Sequence, residues 1–195
     1  MQRLVLASNN AKKLKELGSL LTPLGIELIP QGQLDIPEAE EPFPTFVENA
    51  LAKARHASRL SSLPALADDS GLCVRALGGA PGVLSARYAG EPKSDARNNA
   101  HLLAALANQA DRAAHFVSVL VLVRHADDPQ PIIAEGNWHG EILTTARGAD
   151  GFGYDPLFWV PAAGKSAAEM APEEKNACSH RGIAMQKLLT QLGDL

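Results

Sequence analysis

Ser8-Asn9-Asn10-Ala11-Lys12-Lys13 places hydroxyl, amide and ammonium groups between a short apolar run and a leucine-periodic stretch. At such a strand-to-helix turn the first helical N–H groups are unpaired and the positive end of the helix dipole faces outward, so an anion can bind there. Lys12 and Lys13 add charge against phosphate-like oxygens, and Ser8, Asn9 and Asn10 can donate further hydrogen bonds. Plain helix capping by Ser or Asn is the other reading of the same residues. The turn is not a Walker loop, since a GxxxxGK run followed by Ser or Thr occurs nowhere in the chain.

A second chemistry is acidic. Glu38, Glu40 and Glu41 lie in one loop, and Asp68-Asp69 stands where a brief strand meets Ser70-Gly71. Magnesium prefers hard oxygen ligands and commonly takes one or two protein carboxylates plus water and substrate phosphates, so two acids from distant parts of the chain suffice. A carboxylate beside the ion could also orient or deprotonate a water. A solvated acidic loop and a simple turn are the alternatives.

The third stretch is Gly151-Phe152-Gly153-Tyr154-Asp155-Pro156, where glycines allow close backbone approach beside an aromatic ring. Phe152 could stack on a planar base, with Asp155, Lys175, His180 and Arg181 as candidate polar groups to identify it; an ordinary hairpin turn is the alternative. In Glu174 to Gly182, Ser179 can cap a helix whose first turn holds His180 and Arg181. Positive charge is unfavourable beside a helix N-terminus, which hints at a use for it.

The elements that must position these groups alternate irregularly. Leu4–Ala7 reads as a buried strand, and Leu14, Leu17, Leu20, Leu21 and Leu24 recur at helical spacing until Gly25. A short strand follows around Leu28-Ile29. Thr45-Phe46-Val47-Glu48 has the form of a capping box, predicting a helix to about Ser58 with Phe46, Ala50, Ala54 and Ala57 on one face. Pro64–Ala67 predicts a strand ending at the two aspartates, Leu72–Ala76 another extended stretch, and Ser94 a capped helix to about Ala107. His115–Arg124 is β-branched and almost continuously apolar, as a central strand should be. Strands near 132–134 and 141–144 are expected to flank a turn, and Ser179–Leu192 forms a last helix. The expectation is a mixed α/β fold rather than a regular doubly wound domain, with residues 1–195 as one compact, two-lobed domain.

Composition narrows the partners. With 195 residues and 46% hydrophobic content the chain can bury a substantial core, and its net charge of -4 (18 basic, 22 acidic) lacks the basic field that long nucleic acids require. Cys73 and Cys178 form no CxxC pair, so neither a disulfide framework nor a zinc site is expected. No stretch approaches the roughly 20 apolar residues of a membrane span. A soluble protein of the cytoplasm is expected, with no membrane partner.

Taken together, Ser8-Asn9-Asn10 with Lys13, Ala67-Asp68-Asp69-Ser70-Gly71-Leu72, Gly78-Gly79-Ala80-Pro81-Gly82, Ser85-Ala86-Arg87-Tyr88, Gly151 to Pro156 and Ser179-His180-Arg181-Gly182 closely resemble the inosine triphosphate pyrophosphatase family, the bacterial dITP/XTP branch in particular. The resemblance covers essentially the whole chain. It implies an elongated central sheet in two lobes with a groove between them and flanking helices, a homodimer, and Mg²⁺-dependent hydrolysis of ITP, dITP or XTP to the monophosphate and pyrophosphate. It further implies that Ser8 to Lys13 contact the triphosphate and that Asp69 is the catalytic acid–base residue and a metal ligand. Glu41 would be the other metal ligand, with Glu40 one position away as the alternative. Ser70, Phe152, Gly153, Tyr154, Asp155, Lys175, His180 and Arg181 would surround the nucleoside. Asn9 departs from the Thr-Gly-Asn of many relatives. A pyrophosphatase of other modified nucleotides, or a nucleotide sensor without turnover, would use the same groups.

Overall fold

The computed structural model describes residues 2–193; the side chains of Gln2, Lys12, Glu16, Leu20 and Gly193 lie outside what it describes. In chain order the elements are β1 (Gln2–Leu6), α1 (Ala11–Leu21), β2 (Ile26–Pro30), α2 (Phe46–Ser61), β3 (Ala65–Val74), α3 (Asp95–Ala105), β4 (Ala113–Val123), β5 (Ile132–Ile142), β6 (Phe158–Val160), β7 (Lys165–Ser166), α4 (Pro172–Cys178) and α5 (His180–Gly193). The strands form one seven-stranded sheet in the order β2-β1-β3-β4-β5-β6-β7. β1 pairs in parallel with β2 and β3, while β6 pairs antiparallel with β5 and β7, so the sheet is mixed, as expected.

Residues divide into two compact units, the first holding 2–69, 119–135 and 184–193, the second 70–118 and 136–183. Each has its own apolar cluster. In the first, Leu17 and Leu21 of α1 pack with Leu4, Leu6, Leu66, Leu120 and Leu122 from the strands and with Met185 and Leu188 of α5. In the second, Phe116, Trp138, Phe158, Leu102, Leu106 and Leu157 form the centre.

Several elements form where the sequence places them. α2 begins at Thr45, whose hydroxyl accepts from the Glu48 N–H and donates to the Glu48 carboxylate (2.5 Å). Its Ala50, Ala54 and Ala57 are fully buried. Ser94 caps α3 by accepting from the Arg97 N–H. β4 is buried over nearly its whole length.

Three expectations are corrected. Leu24 is not on the buried stripe of α1: Pro23 opens a separate short turn, Thr22–Leu24, and Leu24 is exposed. Proline lacks the N–H that would continue the helix. Asp68 and Asp69 do not sit at a strand end, because β3 runs without interruption through Asp-Asp-Ser-Gly. The two strands expected near 132–134 and 141–144 are one strand, β5. Its Gly140 is no turn glycine: a Cβ there would run into the Trp159 carbonyl and the Phe158 ring, so glycine marks a close approach between strands.

Candidate active site

In the first unit, the β1–α1 turn is built by its own polar side chains. Asn10 N–H donates to Ser8 Oγ (3.1 Å), and Asn10 Oδ1 accepts from the Lys13 N–H (3.3 Å), so Asn10 caps α1. Asn9 Oδ1 accepts from the Gly32 N–H (2.9 Å), fastening the turn to the Gln31–Leu34 segment. Non-glycine residues with positive φ among those described are Asp35 and Ser62 alone, so Asn9 holds its turn without a left-handed backbone. Ala11 opens the helix, Lys13 projects from its first turn, and the Lys12 side chain lies outside the described residues.

Lys13 Nζ meets Asp68 Oδ2 at 2.7 Å, with the aspartate nearly inaccessible. Beside it, Lys53 Nζ bridges Glu41 Oε1 (2.7 Å) and Asp69 Oδ1 (3.1 Å) and also donates to the Asp68 carbonyl (2.9 Å). The structure thereby brings Glu41 to Asp69, while Glu38 and Glu40 are exposed in the same loop. Lys53 is the residue that sequence reasoning missed. A signal existed: it lies three residues after Ala50 and four before Ala57, so a lysine falls on the alanine stripe that α2 buries.

Burial pushes the Asp69 carboxyl above its ordinary value, reinforced by the charges of Glu41 and Asp68 and only partly opposed by Lys53. Burial acts against the Lys53 ammonium too, but Asp69 and Glu41 outweigh it and its pKa is raised, so the amine stays charged. Asp69 Oδ2 is buried and has no hydrogen-bond partner among the described residues. An unpaired buried carboxylate oxygen is unfavourable unless something charged or protic completes it. The donor set suits magnesium: oxygen ligands only, two carboxylates facing one cation, and Lys53 already showing that a positive charge fits between them.

In the second unit, the Phe152 ring is 44% exposed, with Lys175 Nζ 5.3 Å and Arg181 Cζ 5.4 Å from its centroid. Asp155 is buried; its Oδ2 accepts from Lys175 Nζ (2.5 Å) and from the Phe152 N–H (2.9 Å). A Cβ at Gly151 would strike that carboxylate, which explains the first glycine of the loop. Arg181 Nη2 donates to Ser70 Oγ (3.3 Å), and Ser179 Oγ accepts from the Gly182 N–H, capping α5 as expected. Phe152, Asp155, Lys175, Arg181 and Ser70 therefore come together. Two other candidates turn into the interior. Tyr154 donates its hydroxyl to the Ser85 carbonyl (2.8 Å), and burial raises its pKa. The His180 ring stacks on Phe116 (centroids 4.9 Å apart, planes 14°).

The fold is that of Ham1 proteins. A HAM1 protein from Coxiella burnetii superposes with a TM-score of 0.97 at 50% identity, covering 100% of both chains, and the Staphylococcus aureus Ham1 protein with 0.92 at 39%, covering 99% of each. The profile of the Ham1 family matches residues 4–191, and the chain belongs to that family. Among curated relatives, a dITP/XTP pyrophosphatase of Aromatoleum aromaticum is 70% identical over 190 residues, 97% of this chain and 96% of that protein. One of Ralstonia nicotianae with the same name is 67% identical over 195 residues, 98% and 97% of the two chains.

Proposed function

We infer that this chain is a nucleoside triphosphate pyrophosphatase that hydrolyses non-canonical purine nucleotides, ITP, dITP and XTP among them, to the monophosphate and pyrophosphate. The observation that carries the chemistry is Asp69, a buried carboxylate with a raised pKa and one oxygen without a partner, held against Lys53. A base is most effective when its pKa approaches the working pH, and burial moves Asp69 in that direction.

In this reading the Ser8–Lys13 turn receives the phosphates through its N–H groups, the Ser8 and Asn side chains and the lysines. Asp69 takes a proton from water as the water oxygen attacks the α-phosphorus. The bond from that phosphorus to the bridging oxygen breaks, and pyrophosphate leaves with the bond's electrons. Lys13 and Lys53 hold positive charge where negative charge develops. Glu41 and Asp69 would hold Mg²⁺, which when bound neutralises phosphate oxygens. Phe152 stacks on the base, and Ser70, Gly153, Asp155, Lys175 and Arg181 surround it, with Tyr154 and His180 supporting the site from the core. Arginine donors favour the 6-oxygen of hypoxanthine and xanthine over the 6-amino group of adenine, since donor against donor leaves groups unpaired at about 1–3 kcal/mol each.

Residues 1–195 act as one catalytic domain, and the resemblance supports a homodimer in the cytoplasm; no described helix is long and apolar enough to cross a membrane. Purified protein given ITP and Mg²⁺ should release pyrophosphate, faster than with ATP or GTP. Preference for modified pyrimidine triphosphates would overturn the base assignment, and tight ITP binding without pyrophosphate would make the protein a sensor. Sedimentation at micromolar concentration checks the dimer.

A further inference from the structure

The stacking ring stands on a loop with two bonds of its own at Phe152, whose N–H donates to Asp155 Oδ2 (2.9 Å) and whose carbonyl accepts from the Asp155 N–H (3.2 Å). Gly151 and Gly153, on either side of Phe152, have φ of +85° and +60°, and a segment of glycines in this region has many accessible conformations. Both backbone groups of Gly153 are nevertheless fixed, and both by side chains of α3. The Gly153 N–H donates to Asp95 Oδ2 (2.7 Å), and Asn99 Nδ2 donates to the Gly153 carbonyl (2.8 Å). The two residues are four apart on one helix, so they share a face and grip a single peptide segment from the same side. α3 is in turn anchored: Ser94 caps it, and Asn98 donates to the Ala86 carbonyl (3.0 Å) and accepts from the Ala89 N–H (2.8 Å).

We propose that Asp95 and Asn99 are positioning residues for the nucleobase: by clamping Gly153 they fix the Phe152 ring in the orientation in which a purine stacks. The proposal rests on the functional reading above, in which Phe152 meets the base. Neither residue touches substrate. Their effect is to remove, before binding, the loop freedom that a nucleotide would otherwise have to remove itself.

The test compares Asp95→Ala, Asn99→Ala and the double variant with Asp95→Asn, which keeps an acceptor for the Gly153 N–H but loses the charge at the start of α3. Inhibition by IMP, which carries the base, and by inorganic tripolyphosphate, which does not, is measured beside KM and kcat for ITP. Each alanine variant should weaken IMP and raise KM about three- to tenfold, the worth of one hydrogen bond. kcat, tripolyphosphate inhibition and melting temperature should stay near wild type, and Asp95→Asn should behave as wild type. Unchanged IMP inhibition overturns the inference, as does equal weakening of IMP and tripolyphosphate, which marks general damage. If wild type itself neither binds IMP nor turns over ITP, the functional reading fails first and the inference falls with it.

Discussion

The lysine–carboxylate cluster and the Phe152 loop are built on opposite principles. Lys13, Asp68, Lys53 and Asp69 project from α1, α2 and β3, with side-chain exposures of 18%, 3%, 13% and 13%, and each charge is set against another within 3.1 Å. Phe152 stands 44% exposed between two left-handed glycines and is approached by cations rather than packed among carbons. Proton transfer depends on sub-ångström placement and on a tuned pKa, which rigid elements and burial supply. Recognition of a planar base needs a reachable face, and a loop offers one.

The largest effect expected on this contrast comes from Asp69→Asn. It should lower kcat about 10²–10⁴-fold, the usual contribution of a general base. The same variant should be at least as stable as wild type. Asp69 carries a raised pKa in the folded chain, so its protonated form is the one that folding favours. That contribution is complete below the unfolded-state value and is lost as pH rises through the folded one. At neutral pH the carboxylate is therefore strained by its burial, and an amide relieves it. Melting curves with and without the substitution decide this, and a clear loss of stability would mean that the Lys53 contact outweighs burial.

Lys53→Met tests the other side of the cluster. Glu41 and Asp69 would lose their shared cation, and stability should fall by about 2 kcal/mol, below the figure for fully buried pairs because Glu41 is one-third exposed. Adding Asp69→Asn should recover part of the loss, a coupling that a double-mutant cycle reads directly. Phe152→Ala should behave differently, raising KM for ITP about five- to hundredfold, the range for one base stacked on an aromatic ring. Its melting temperature should move little, since Phe152 is 44% exposed and lies outside the buried cluster of the second unit. The smallest effect is in the pH profile: the acid limb of kcat/KM should lie above the pH of an ordinary aspartate, because the base exists only above the raised Asp69 value.

The same contrast explains what could be seen in the sequence. The Phe152 loop was legible because glycines flanking an aromatic are a local pattern, and α2 because Thr45 and the alanine stripe are too. Lys53 showed only as a lysine on the buried alanine stripe, and what it does there depends on Glu41 and Asp69, which lie across from it and far from it in the chain. Asp68-Asp69-Ser70-Gly71 has turn propensity, yet the strand ladder overrides it. The role of Gly140 inside β5 was not legible for the complementary reason: the contact that demands a missing side chain comes from Trp159 and Phe158, nineteen and eighteen residues on. Asp95 and Asn99 gave no sign, because their partner is backbone, which has no sequence signature.

Asn9 and Gly32 carry a consequence for how this protein could have changed over time. A Cβ at Gly32 would fall 2.6 Å from Asn9 Oδ1, the atom that Gly32 itself hydrogen-bonds. The two positions are thus linked in inheritance: a side chain at 32 would turn the exposed Asn9 amide aside and forfeit the bond that fastens the turn, so it comes at least cost after Asn9 has already been replaced.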